Sequence, residues 1–368
     1  MIKKTNLFLI VILLSNLIVS CSTDDSNEIY EPIVAINNSS PVNFNLNAFP
    51  YDKLSDYNLF NGDLKNQTPV NGVLPYEPIS TLFTDFAKKK RFLWMPENSS
   101  ANYVSDFEVL NFPLGTIIVK TFYYDNVLPL NQTKILETRL LVKKNTGWAF
   151  YEYVWNDSQT EAYLDNSGSY VNIQWTENGI TKTNNYRIPS ESECLTCHKK
   201  SNTAIPIGVK PQNLNSNYTY ASGAMNQLQK LMNEGYLTSF DYSNVNTVIN
   251  WKDISQPLAL RARSYLDINC AHCHSDNSHC SYRPIRLSFQ ETGLNDENIG
   301  ICVVPDEDIS SNLTHIVSPT RPERSVMSFR MNSTEESTKM PLLGRNLVDE
   351  EAVTMINDWI NQLTQTCN

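Results

Sequence analysis

Cys-Leu-Thr-Cys-His at 194–198 and Cys-Ala-His-Cys-His at 270–274 share one spacing, Cys-X-X-Cys-His. Two thiols three positions apart can reach the two vinyl groups of one porphyrin and form thioether bonds. The adjacent histidine is then carried under the ring as an iron ligand, leaving the opposite iron face for a second ligand or a substrate. Cys194 and Cys197 with His198, and Cys270 and Cys273 with His274, are therefore expected to hold two haem c groups. Other uses of Cys-X-X-Cys fit less well. A thioredoxin-like dithiol needs a βαβ context and no following histidine. A zinc ribbon pairs two such knuckles, whereas most of a domain separates these.

Covalent haem attachment belongs to exported proteins, and the N-terminus predicts export. Lys3 and Lys4 precede an apolar run from Leu7 to Leu14, too short for a comfortable membrane span. The run ends Leu17-Ile18-Val19-Ser20-Cys21, which resembles a bacterial lipobox, in which the cysteine is acylated and becomes the first mature residue. The polar, acidic stretch after Cys21 reads as a tether and is similar to the surface-export signals of some outer-membrane lipoproteins. An exported lipoprotein of the outer membrane, facing either the periplasm or the exterior, is the expected location. Loss of residues 1–20 removes two lysines and no acids, so the formal charge moves from −10 to −12. Such a chain has no electrostatic footprint for nucleic acid, and would be steered to basic patches on a redox partner protein.

Of the 8 cysteines, Cys21 would carry lipid and four would carry haem. Cys280, Cys302 and Cys367 remain, and an oxidising compartment permits one disulfide among them. Cys280 with Cys302 is the preferred pair, because it would pin the loop beyond the second motif; a pair using Cys367 stays open.

The pattern predicts an α+β chain: an antiparallel β-rich domain followed by an α-helical, cytochrome c-like one. Residues 1–20 form the leader and 21–45 a flexible tether. Residues 46–190 make the β domain, 191–250 a first haem segment with a helix, and 251–368 the cytochrome-like domain. Thr116–Tyr124, Ile135–Lys143, Trp148–Trp155, Tyr170–Trp175 and Ile180–Ile188 read as strands, with Asn145-Thr146-Gly147 and Asn178-Gly179 as turns. Helices are expected at Tyr220–Glu234, from a Ser255 cap to Ile268, and at about 349–363.

Helix, motif, long loop, Met-Pro and amphipathic helix follow one another from 255 to 363. This order resembles a class I cytochrome c, in which terminal helices cross beside the haem and a loop methionine ligates the iron. Tyr265 and Trp359 are the candidates for the aromatic contact between those helices. Met340, in Lys-Met-Pro-Leu-Leu-Gly at 339–344, is the expected distal ligand of the second haem. Met327 and Met331 read as core, His272 and His279 as too tightly tethered to reach the far face, and His315 as an outside candidate. Arg261, Arg263 and Arg345 can be weighed as propionate partners but read better as solvated surface. For the first haem, Met225, Met232 or an open position are the alternatives.

The longer pattern is similar to a family of exported dihaem c-type cytochromes. The matching stretches include Val-Leu-Pro-Tyr-Glu-Pro at 73–78, Phe-Pro-Leu-Gly-Thr-Ile-Ile-Val-Lys at 112–120, and Arg-Ala-Arg-Ser-Tyr-Leu at 261–266. Asn-Cys-Ala-His-Cys-His at 269–274 and Met-Pro-Leu-Leu-Gly-Arg at 340–345 complete them. The resemblance implies haem binding and redox function without a settled substrate. Single-electron transfer through two haems is the leading expectation. A dihaem peroxidase with an open first haem is the alternative, and a partner-docking β domain ranks third.

Overall fold

The computed structural model describes residues 39–367; the leader, Cys21 and the tether up to residue 38 lie outside the described residues. Eight strands form one antiparallel sheet: β1 (Leu74–Pro75), β2 (Lys88–Trp94), β3 (Ile117–Val127), β4 (Gln132–Lys144), β5 (Gly147–Trp155), β6 (Ala162–Leu164), β7 (Ser169–Glu177) and β8 (Ile180–Ile188). The spatial order is β8-β7-β3-β4-β5-β6, with β2 also paired to β3 and β1 to β2. All five predicted strands are present. Asn178 and Gly179 both adopt positive φ, 51° and 78°, as a tight hairpin between β7 and β8 requires. The chain is mixed α+β, as its pattern predicted.

Alternation along β2 to β5 sends side chains to two unlike faces. One face carries Phe92, Trp94, Ile117, Val119, Leu140, Val142, Tyr151 and Tyr153 against Leu54, Tyr57, Leu59 and Phe60. The buried hydroxyls there are partnered, with Tyr57 and Tyr153 2.6 Å apart and Thr121 and Thr138 2.8 Å apart. This core begins earlier than the tether reading allowed. Val42 is buried, Phe44 packs on Trp94 with ring centroids 5.1 Å apart, and Gly115 is bare where a side chain would strike Phe44. Residues 42–45 are a strap held by aromatic burial.

On the opposite face Ile118, Leu141, Trp148 and Phe150 form one apolar cluster, and Phe122, Tyr124, Trp175 and Tyr186 another. Between these clusters a charged row crosses the strands. Arg91 faces Lys120, Lys120 faces Arg139, and Arg139 faces Glu152.

The helix predicted at Tyr220–Glu234 is a correction. A hairpin of Asn217–Tyr220 and Gly223–Asn226 takes its first half, and only Gln227–Asn233 is helical. Asn226 supplies the local reason: its side chain accepts from the backbone N–H of Leu228 at 2.9 Å and of Gln229 at 3.3 Å, a cap that starts the helix late.

The remaining helices relevant to the motifs are α1 (Glu191–Cys197), α2 (Gln227–Asn233), α3 (Leu258–Asn269), α4 (Val326–Asn332) and α5 (Glu350–Asn361). Helices α3, α4 and α5 share a core containing Ala262, Tyr265, Leu266, Met327, Ile356 and Trp359. Asp349 caps α5, accepting from Ala352 N at 3.3 Å. Ser255 does not cap α3; it donates to Asp253 at 2.6 Å, and Pro257 occupies the cap position. The ring partner of Tyr265 is Trp251, at 5.1 Å, rather than Trp359, and its hydroxyl reaches Asp349 at 3.2 Å.

Hydrogen bonds run from the sheet half into the helical half. Phe83 N donates to Asn269 at 2.8 Å, and Asn346 N and Leu347 N donate to Asp85 at 2.7 and 2.8 Å. The disulfide joins Cys302 to Cys367, not to Cys280, which is a free buried thiol. It closes 65 residues, a loop length that stabilises by about 4 kcal/mol through the unfolded chain.

Candidate functional site

Helix α1 begins with a reciprocal cap: Ser190 accepts from Glu193 N at 3.4 Å, and Glu193 accepts from Ser190 N at 2.7 Å. One turn later Cys194 and Cys197 stand on the same side of the helix, and His198 ends it. The His198 Nδ1 is 2.9 Å from the Ile205 carbonyl, which can only accept, so Nδ1 carries the proton and Nε2 keeps its lone pair. The ring lies 4.9 Å from that of Phe150 on the sheet. Burial pushes the His198 pKa down to about 4, so the imidazole is neutral and fit to ligate a metal.

The second motif leaves the end of α3. Cys270 closes the helix with its N–H on Leu266 O at 2.9 Å, and His274 N follows onto Cys270 O at 3.0 Å. Burial, with smaller effects of His272 and nearby arginines, pushes His274 down to about 4 as well. The Nδ1 atoms of His272 and His274 are both buried without a protein partner.

The two motifs meet. Cys273 Sγ lies 3.9 Å from Cys197 Sγ and 3.6 Å from the Thr196 carbonyl. Ligand atoms of Cys197, His272 and Cys273 all fall within 4.8 Å of one another. The contact with Cys273, then His272 and His198, holds Cys197 well below the usual thiol range, while Cys273 is pushed up as the proton-bearing partner. His272, read from sequence as a bystander to its own motif, stands at the seam between the two.

Each motif opens on its own cleft. Cys270, Cys273 and His274 line one of about 1060 Å3, whose lining also includes Cys197, Met327, Met331 and Met340. Met340 is held there by Arg345, which is 5% exposed and donates to the carbonyls of Met340, Met331 and Ser333 at 2.8–3.1 Å. Arg345 is thus a buried brace for the loop that carries Met340, not a solvated residue. Arg261 and Arg263 are also braces, bonding Trp251 O at 2.7 Å and Phe289 O at 2.5 Å. Met327 and Met331 are buried, as expected, and also line the cleft. His279 is exposed, and His315 bonds Thr314 at 3.0 Å away from this wall.

Cys194, Cys197 and His198 face a cleft of about 870 Å3 bounded by Lys120, Phe122, Tyr265, Asn269 and Arg345. Met225 and Met232 do not line it. Met225 sits in the hairpin strand, its sulfur 3.6 Å from Asn233 Nδ2, and Met232 packs in the apolar cluster above the sheet. Sequence reasoning missed Lys120, because one lysine in a strand carries no signal until its neighbours across the sheet are known. Compared with protein-family models, curated proteins and solved structures, the chain matches none.

Proposed function

We propose that the chain is an exported two-haem c-type cytochrome that passes single electrons between its haems and a partner protein. Cys194 and Cys197 would hold one haem and Cys270 and Cys273 the other, with His198 and His274 as proximal ligands. The bound iron supplies the redox change; the chain supplies orientation, ligands and a low-polarity wall. A half-buried neutral imidazole in each motif, with a cleft beside it, fits that cofactor chemistry. Met340, held across the larger cleft by Arg345, fits the distal position of the second haem, where a thioether favours ferrous iron. A C-terminal half like class I cytochrome c, a lipid at Cys21 and an outer-membrane location belong to the same proposal.

The contact of 3.9 Å between Cys197 and Cys273 carries the reading. If both sulfurs are thioethers, the two porphyrin edges are neighbours, and an electron arriving at one is immediately available to the other. Matured protein is expected to contain two haems by pyridine haemochrome and to show a split, two-signed Soret band in circular dichroism. One haem, or zinc held by Cys197, His272 and Cys273, overturns the proposal. Met340→Ala is expected to lower one midpoint potential and abolish the sulfur-to-iron charge-transfer absorption; an unchanged spectrum removes Met340 from the site.

The peroxidase alternative rests on one observation: no methionine lines the cleft beside His198. Peroxide turnover with one high-spin haem would support it, and two low-spin, six-coordinate haems in every redox state would count against it. The partner-docking reading loses ground, since most strand aromatics lie in the two cores.

A further inference from the structure

Four cations lie on the sheet face beneath the first motif: Lys89, Arg91, Lys120 and Arg139. Cross-strand register puts Arg91, Lys120 and Arg139 side by side, and Lys89 is two residues before Arg91 on the same face. The carboxylates of that face are Glu137 and Glu152, and both are taken by Arg139, at 2.6 and 3.1 Å. Lys89 donates to the Leu82 carbonyl at 3.0 Å. Arg91, 6% exposed, has only the solvent-facing Glu77 at 3.9 Å. Lys120 has no hydrogen-bond or ion-pair partner among the described residues; its Nζ lies 4.9 Å from the centre of the Phe122 ring. Like-charged neighbours directly opposite destabilise a sheet, and buried cations are ordinarily paired. Among the described residues, neither Arg91 nor Lys120 has a carboxylate in close contact on this face.

Space for an anion is present. Arg91, Lys120 and Arg139 line an open cleft together with Cys194, His198, Glu152 and Glu191, and Lys120 and Arg139 also line the larger cleft beside the same motif, where Glu193 is held by Arg187. Burial, and then Arg91, Arg139 and Lys89, push the Lys120 ammonium well below its ordinary range, with Glu137 opposing the shift. Guanidinium and ammonium side by side suit carboxylates.

We propose that Arg91 and Lys120 form a receptor for a pair of carboxylates beside the first motif. The inference rests on the two-haem reading for its position, and the carboxylates are either the propionates of the first haem or a free dicarboxylate. The pair would offset two charges of the row and bear on the field felt at that iron.

The test uses matured protein already counted to hold two haems, so that a failure of the cofactor reading is recorded separately. Lys120→Met and Lys120→Arg are compared with the parent by redox-difference infrared spectroscopy, midpoint titration and spin state. Replacing a half-buried cation that has no ion-pair partner among the described residues by an apolar chain of similar length is compatible with folding, which thermal melting checks. Lys120→Met is expected to shift the carboxylate stretch and lower the first midpoint alone, and Lys120→Arg to restore both. If the stretch is unaltered by isotope-labelled succinate, the carboxylates are the haem's own; if labelled succinate contributes a band in the parent that Lys120→Met loses, they are free. An unshifted carboxylate region in Lys120→Met overturns the proposal. So does a first haem that is low-spin in the parent and high-spin in Lys120→Arg, since that change makes the amine an iron ligand.

Discussion

A chain with Cys194→Ala and Cys197→Ala, matured where haem can be ligated, is expected to keep one haem of two and to lose its split Soret signal completely. The asymmetry between half and all is the informative part. On the two-haem reading, thioether bonds at 194 and 197 would be the covalent hold on the first haem, and His198 alone would be a single coordinate bond. The split signal needs both porphyrins at once, and their neighbourhood follows from the 3.9 Å approach of Cys197 to Cys273. Cys280→Ala is the control: the thiol is buried at the wall of the second cleft, yet lies outside both motifs and the disulfide. It is expected to keep two haems and the full signal. Two haems in the double variant would overturn the assignment of the first motif.

Glu137→Gln and Glu152→Gln are expected to act in opposite directions on stability, although both residues sit on Arg139. Glu137 is fully buried and takes a forked contact from Arg139 at 2.6 and 3.0 Å, with the Tyr186 hydroxyl at 2.5 Å. Burial alone would raise its pKa, but the Arg139 charge and these hydrogen bonds hold it below the usual carboxylate range. Burial beside Glu137 pushes Glu152 well up, so Glu152 is the member that carries the proton. Its Oε1 has no partner. Glu137→Gln removes the forked acceptor of Arg139 and leaves only Glu152, 3.1 Å away, to balance its charge, and is expected to cost about 1.5–3 kcal/mol in denaturant titration at neutral pH. Glu152→Gln replaces a neutral acid by a neutral amide and is expected to lie within about 1 kcal/mol of the parent, on the stabilising side. The signs with pH follow. A depressed pKa contributes stability present above the unfolded value of about 4.5 and lost as pH falls through the folded one. Glu152, raised, costs stability as pH climbs above that same unfolded value. Acid sensitivity is therefore expected to diminish in Glu137→Gln and to increase in Glu152→Gln; equal effects of the two variants would disprove the division of roles.

The strands were legible where alternation was clean, as in Ile117-Ile118-Val119 and Trp148-Ala149-Phe150-Tyr151. Lys88–Trp94 escaped because Lys-Lys-Lys-Arg reads as a solvated run, and only the register with β3 turns Lys89 and Arg91 inward. The apolar spacing of Tyr220–Glu234 suited a helix, but Gly223, at φ 110°, and the Asn226 cap gave its first half to a hairpin. Two motifs could be read residue by residue; their meeting could not, since Cys197 and Cys273 are 76 positions apart. The same limit hid the partner of Cys302, because Cys367 is distant in sequence and brought to 5.1 Å between Cα atoms by folding. Arginines 261, 263 and 345 looked solvated for want of the carbonyls they serve.

The approach of Cys197 to Cys273 also dictates an order of maturation. An export-compartment oxidant that takes two electrons and two protons from those thiols would join them as a cystine, sealing both porphyrin sites together. Folding compounds this, since burial has pushed Cys270 up to about 12 and leaves little of its thiolate for addition to a vinyl group. On the two-haem reading, both porphyrins must reach an open chain, and a polypeptide that closes first becomes a cross-linked dead end.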